Sequence, residues 1–431
     1  MRRAAMLWFL AGALLHAQSN RAPIDELGKM FLAHTWNIDG ESDRPALAVD
    51  PKAGQLWILH RRSLQIVDLD TDLETGKVIK EIGGFYHAEG IAFDDIGEFA
   101  YISDTEPATG EFGVKPGMKC SIKVVDRRMV QVVATIPLAV PPKNVWFDPW
   151  GKLLFVLPDP SPPDAELPGM PHRKPNKTTS PSSPSAGKKP SLDTKSVLTV
   201  IDTEQQKVIG QISISGRVDS AQSDGMGTLY ITVSDRNQIL AIDEGLLLDQ
   251  LKGTGDKDYT SDTYAALDWS DRSPTDHPES DPLTRYDIAP VCKEPKGLAV
   301  AWKISRVFVA CGDGKLAILN TGDLRSVGAF SIDPATDNIA YDADRGLLYV
   351  PNQNGSLTVI SRHVANDTYV EVLNLLTVPK ARSLALNPDT GQLYLVTDKS
   401  PMDMTKADTN KSSYPSQGIE RGGFQVLVIG H

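Results

Sequence analysis

Cysteine, histidine, basic charge and long apolar runs are all scarce in this chain, and each scarcity excludes something. Three cysteines and eight histidines in 431 residues, with no Cys/His spacing pattern, point to no zinc, haem or copper site. Lysine and arginine total 44 against 55 acidic residues, a net charge of −11, which argues against a general binder of nucleic acid or anionic membrane. Catalytic signatures are missing too. There is no Gly-x-Ser-x-Gly elbow, no His-Glu-x-x-His and no phosphate loop, so no catalytic residue, metal or cofactor is expected. Beyond the amino terminus no segment is long and apolar enough to cross a bilayer, which takes about 20 residues.

The amino terminus is the exception. Arg2 and Arg3 precede a short apolar run from Ala4 to Leu15, followed by small residues near Ala17. That run is too short to span, and no cysteine follows it, so residues 1–19 are expected to be a cleaved signal peptide and the protein periplasmic or extracellular. Cleavage is placed after Ala17 or Ser19.

What the chain has in quantity is short alternating apolar runs. With 41% hydrophobic residues it can bury a large core. Cys292–Asn320 shows the unit: runs at Gly297–Val300, Val307–Ala310 and Leu316–Leu319, with bends at Lys303–Arg306 and Gly312–Gly314. Alternation of Val, Ile, Leu and Phe between Gly and Asp turns reads as strands. The pattern occurs seven times. Its first strands end at the corner residues Asp50, Asp94, Asp148, Asp224, Ala301, Asp342 and Asn387. Second strands begin near Leu56, Phe99, Leu153, Leu229, Val307, Leu347 and Leu393, and third strands end at Asp68, Asp126, Asp202, Asp243, Asn320, Ser361 and Gly430. A blade of about 40–50 residues fits the shorter spacings. The fold class is therefore all-β, a seven-bladed β-propeller spanning residues 20–431.

The seventh unit ends at its third strand, whereas Lys29–Ile38 is a strand-like run with no blade of its own. Pairing it as the outer strand of the last blade closes the ring and removes an exposed sheet edge. Pro160–Lys195, rich in Pro, Ser and Lys, reads as a disordered loop inside the third blade. Loops at Thr105–Lys119 and Lys399–Gly422 fall on the same rim. Glu244–Tyr286 falls on the opposite rim, with a short helix near Leu246 and the acidic remainder read as loop.

These blades resemble the YVTN-repeat, YncE-like secreted propellers. The carriers are the segments beginning Cys292-Lys-Glu-Pro-Lys-Gly, Val307-Phe-Val-Ala-Cys-Gly, Tyr341-Asp-Ala-Asp-Arg-Gly and Ala381-Arg-Ser-Leu-Ala-Leu. The Thr-Gly that such repeats carry after the third strand stands only in some copies, as at Thr75-Gly76 and Thr321-Gly322. The resemblance implies seven blades and an extracytoplasmic location and implies no single activity.

Cys292 precedes a first strand and Cys311 ends the neighbouring second strand. Antiparallel pairing brings them within disulfide reach, and an exported protein can oxidise them; two reduced buried thiols are the other reading. Cys120 is expected to be a free structural thiol. Five residues before each corner stand Pro45, Glu89, Lys143, Asp219, Lys296, Asp337 and Arg382, six of them charged and nearly alternating in sign. First strands line the channel, so these groups, with His87 nearby, should meet at its mouth. They form either a self-neutralising collar or a site for a small anionic or zwitterionic ligand.

The expected function is a binding or scaffold module for a protein, peptide or small ligand at this mouth and rim, acting as a monomer. A lactonase-like hydrolase using mouth carboxylates and a divalent metal is one alternative, opposed by the lysines in the ring. Single-stranded nucleic-acid binding is another, opposed by the net charge.

Overall fold

The computed structural model describes residues 30–40, 45–71, 73–94, 97–106, 118–158, 194–254, 264–270, 281–336, 338–381, 383–397 and 423–430. Among these, the strands form seven sheets, six of four antiparallel strands and one in which a fifth, parallel strand joins the four. The inner strands are Ala46–Asp50, Ala88–Phe93, Pro142–Asp148, Val218–Ser223, Pro295–Ala301, Ala340–Asp342 and Ser383–Leu386 for blades 1 to 7. Each neighbours the inner strand of the next blade, and the first neighbours the seventh, so together they surround the channel. Second and third strands lie where the sequence places them.

The corners explain their own composition. The carboxylate or amide oxygen of Asp50, Asp94, Asp148, Asp224, Asp342 and Asn387 accepts backbone N–H groups of the following turn, for example Gly97 N–H at 2.7 Å and Ala53 N–H at 3.2 Å. Blade 5 has Ala301 instead. There a 3-10 turn at Trp302–Ile304, ended by Ser305 in the left-handed region (φ 54°), reverses the chain without a side-chain acceptor.

Packing between blades is repetitive as well. A large aromatic stands mid-strand in every second strand: Trp57, Tyr101, Phe155, Tyr230, Phe308, Tyr349 and Tyr394, all buried. Several meet the residue just before the next blade's corner, as in Trp57–Phe93 (5.1 Å, edge to face) and Phe308–Tyr341 (5.1 Å, stacked). The buried apolar residues divide into seven clusters, each shared by two neighbouring blades. One of them joins the last blade to the first, with Trp36, Ile38, Tyr394 and Val426 against Leu56, Ile58 and Val67.

The ring closes as expected. Phe31–Ile38 pairs antiparallel with Phe424–Gly430, Trp36 opposite Val426, and supplies the outer strand of blade 7. Cys292 and Cys311 form a buried disulfide, Cα–Cα 5.5 Å, and Cys120 is a buried free thiol. Desolvation raises the Cys120 thiol pKa to about 11, which keeps it protonated and inert.

The expectation for Glu244–Tyr286 needs correction. Helix α1, Glu244–Thr254, occupies the predicted helical stretch, but part of the remainder is strand. Ala265–Asp268 runs parallel to Lys207–Ser215 as a fifth strand on blade 3, and Leu283–Asp287 is the outer strand of blade 4. The physical reason is an open edge: the outer strand of blade 3 offers unpaired backbone groups, and Trp269 buries its ring in the core shared by blades 3 and 4. Leu251 of α1 lies over Gly210, where an added Cβ would come within 2.5 Å of Leu251 Cδ2. Residues 1–19, expected to be a signal peptide, all of Lys399–Gly422 and most of Pro160–Lys195 and Thr105–Lys119 lie outside the described residues.

Candidate functional site

The start of an inner strand and the end of the second strand share one rim, and polar side chains at the second-strand ends hold the segments entering the channel. Asp104 accepts the N–H groups of Tyr86 and His87, both at 2.9 Å. Asp235 accepts Arg217 N–H at 2.7 Å, and Asn352 accepts Asp333 N–H at 3.1 Å. The first two bonds position the acids two places further on, Glu89 after His87 and Asp219 after Arg217.

Two ring pairs are built alike. Ser103, in the second strand of blade 2, accepts Gly90 N–H through its hydroxyl oxygen at 2.8 Å and donates to Lys143 O at 3.0 Å. Thr232, its equivalent in blade 4, accepts Ser220 N–H at 3.0 Å and donates to Lys296 O at 3.0 Å. In each case one hydroxyl ties the residue after an acid, Glu89 or Asp219, to the backbone of the lysine on the next blade. Gly90 allows the closest approach: a Cβ there would stand 2.8 Å from both Asn144 Cα and Lys143 O.

The side chains themselves find local partners. His87 Nε2 lies 3.3 Å from Glu89 Oε1, both about a third exposed. Arg217 Nε lies 3.4 Å from Asp219 Oδ2 and donates to Ser234 Oγ at 2.9 Å. Lys296 Nζ donates to Pro334 O at 3.3 Å, reaching toward blade 6. Pro45 is buried at the entrance to blade 1, and Lys143 is half-buried. Asp337 and Arg382 lie outside the described residues. Thus Glu89, Lys143, Asp219, Lys296 and His87 all sit at the starts of inner strands on one rim. Arg217, Ser103 and Thr232 belong to the same assembly and were missed by sequence reasoning. A signal was available: Ser103 and Thr232 hold the same repeat position, where other blades carry apolar residues such as Leu59, Leu157 and Ala310.

Among the described residues no group of three or more His, Cys, Asp or Glu is arranged to hold a metal ion. Nor is any described helix long and apolar enough to cross a membrane. What the rim offers chemically is paired opposite charges, partly exposed, on a rigid backbone: hydrogen-bond donors and acceptors for a ligand carrying both signs or a negative one.

No family model matches the chain, and no curated protein matches it. Among solved structures it is similar to the β-propeller domain of Cps50 (Swd1) from Myceliophteria thermophila, with a TM-score of 0.53 at 10% identity over 92% of this chain and 99% of that one. At that identity the likeness shows the fold alone: this chain is a seven-bladed β-propeller, an architecture common among protein-interaction scaffolds.

Proposed function

We propose that this chain is an exported propeller of the YVTN-repeat kind, serving as a binding or scaffold module whose ligand sits at the channel mouth and the adjoining rim. The observation that carries this reading is the duplicated acid–lysine arrangement, Glu89 with Lys143 and Asp219 with Lys296, each tethered by a second-strand hydroxyl. Charges placed on backbone this constrained lose little entropy on binding, which favours recognition of a small anionic or zwitterionic group, free or at the end of a peptide.

A thermal-shift screen of residues 20–431 against amino acids, sugar acids, lactones, short peptides and divalent metals tests it. A ligand at 100 times its dissociation constant adds about 2.7 kcal/mol and raises the melting temperature. The shift should vanish in Lys143→Ala/Lys296→Ala. A variant that melts lower while no compound shifts the wild type would make the charges a structural collar and refute the site. Export is tested separately, by expressing the full chain and finding whether the mature protein begins after Ala17 or Ser19.

A further inference from the structure

In blades 2 and 4 the residue that follows the third strand stands at the joint with the preceding blade. In blade 2 it is Arg127, fully inside the protein, whose guanidinium binds both carboxylate oxygens of the preceding corner, Asp50, and donates to Asp94 O at 2.8 Å. This is an ordinary buried ion pair. In blade 4 the same position is Glu244, the first residue of α1, and it faces the preceding corner Asp148. An acid stands where its repeat equivalent is a cation.

Both carboxyl groups are fully buried. Asp148 already has a donor on each oxygen: Ser223 Oγ–H on one and Gly151 N–H, at 2.6 Å, on the other. Neither oxygen of Glu244 has a hydrogen-bond partner; the neighbouring Ser223 hydroxyl, which would favour its charged form, donates to Asp148 instead. The ionisable groups facing it are acids, Asp148 from blade 3 and Asp224 from its own corner. Asp243, beside it, is occupied in capping Leu246 N–H at 2.9 Å, and Lys152, on the turn after Gly151, is exposed and paired with Glu204. Glu244 Oε2 stands 3.1 Å from where a Cβ on Gly151 would lie, and Gly151 N–H is held by Asp148, so the two buried carboxyl groups are neighbours; with no cation among the groups facing Glu244 they cannot both be charged.

We propose that Glu244 is a carboxylic acid in the folded protein, donating its proton to Asp148, and that this bond latches α1 and blade 4 onto blade 3 and loosens in alkali. The proton's direction follows from the donors already on Asp148. Desolvation first, and Asp148 second, push the Glu244 pKa from 4.5 to about 10. Because the folded value lies above the unfolded one, folding takes up a proton between those limits. The associated stability is intact below about pH 4.5 and is lost progressively as pH rises toward 10.

The test compares wild type with Glu244→Gln, whose amide donates to Asp148 without titrating. Urea unfolding between pH 5 and 9 should show the wild-type folding equilibrium falling by about tenfold per pH unit relative to the variant. Infrared spectra at pH 8 should show a protonated-carboxylic-acid band in folded wild type that is absent from the variant. Parallel pH profiles would overturn the proposal. So would absence of the acid band in wild type, a measurement that stands even if Glu244→Gln fails to fold. Stabilisation of wild type by calcium chloride, not seen in the variant, would overturn it too by giving the pair to a metal ion.

Discussion

Single residues in a repeat fold can be compared with their counterparts in other blades, and the comparison assigns them roles. Arg127 and Glu244 hold one repeat position, yet one brings a counter-charge to the preceding corner and the other needs a proton. Arg127→Ala should therefore leave Asp50, 1% exposed, as a buried charge without its partner. A loss of about 3–5 kcal/mol is expected by urea denaturation, with partial recovery in Asp50→Asn/Arg127→Met. Neither role can be read from the sequence. Both residues follow an Asp at the end of an apolar strand, and only the radial stacking of blades shows that the carboxylate they meet lies 77 or 96 positions earlier.

Elements differ in how plainly they announce themselves. Second and third strands are packed on both faces, so they appear as compact apolar runs such as Leu153–Pro158 or Lys315–Asn320. Outer strands are more exposed, as in Ser326–Ser331, where half-buried and exposed residues alternate and the composition is that of a surface. Apart from Phe31–Ile38, which closes the ring, they are found in the structure rather than in the pattern. Ala265–Asp268 is the extreme case: four residues without β-branching, a strand only because the edge of Lys207–Ser215 is open beside them. Its anchor is Trp269, 2% exposed, whose N–H donates to Ser213 O at 2.9 Å. Trp269→Ala should cost about 3–5 kcal/mol. Limited proteolysis should then cut within 255–280 before the remaining blades, whereas uniform cutting would mean the strand is not a separate attachment.

At the scale of the whole molecule, stability depends on closure. Each apolar cluster lies between two blades, so opening any joint exposes two faces at once. Removing residues 20–38 takes away Trp36 and Ile38 from the joint between blades 7 and 1 and bares the edge of Phe424–Gly430. The truncated protein is expected to melt lower and to form oligomers by gel filtration, and a peptide covering 30–38 added in excess should reverse part of both effects. A truncated chain as stable and monomeric as the full one would remove closure as the source of stability.

Apolar alternation, turn residues and the recurrence of both by themselves determined seven blades, their three inner registers, the strand that closes the ring and the nearness of Cys292 to Cys311, because these depend on contacts within one repeat or between its copies. Which residues meet at the channel mouth was legible only as a ring of charges: Glu89, Lys143, Asp219 and Lys296 stand out by position. The hydroxyls of Ser103 and Thr232 that tether them, the fifth strand on blade 3, and the partner that turns Glu244 into an acid were decided by the tertiary structure. Each depends on a contact between neighbouring blades, where burial and the local supply of hydrogen-bond donors, not the identity of adjacent residues, set what a side chain does.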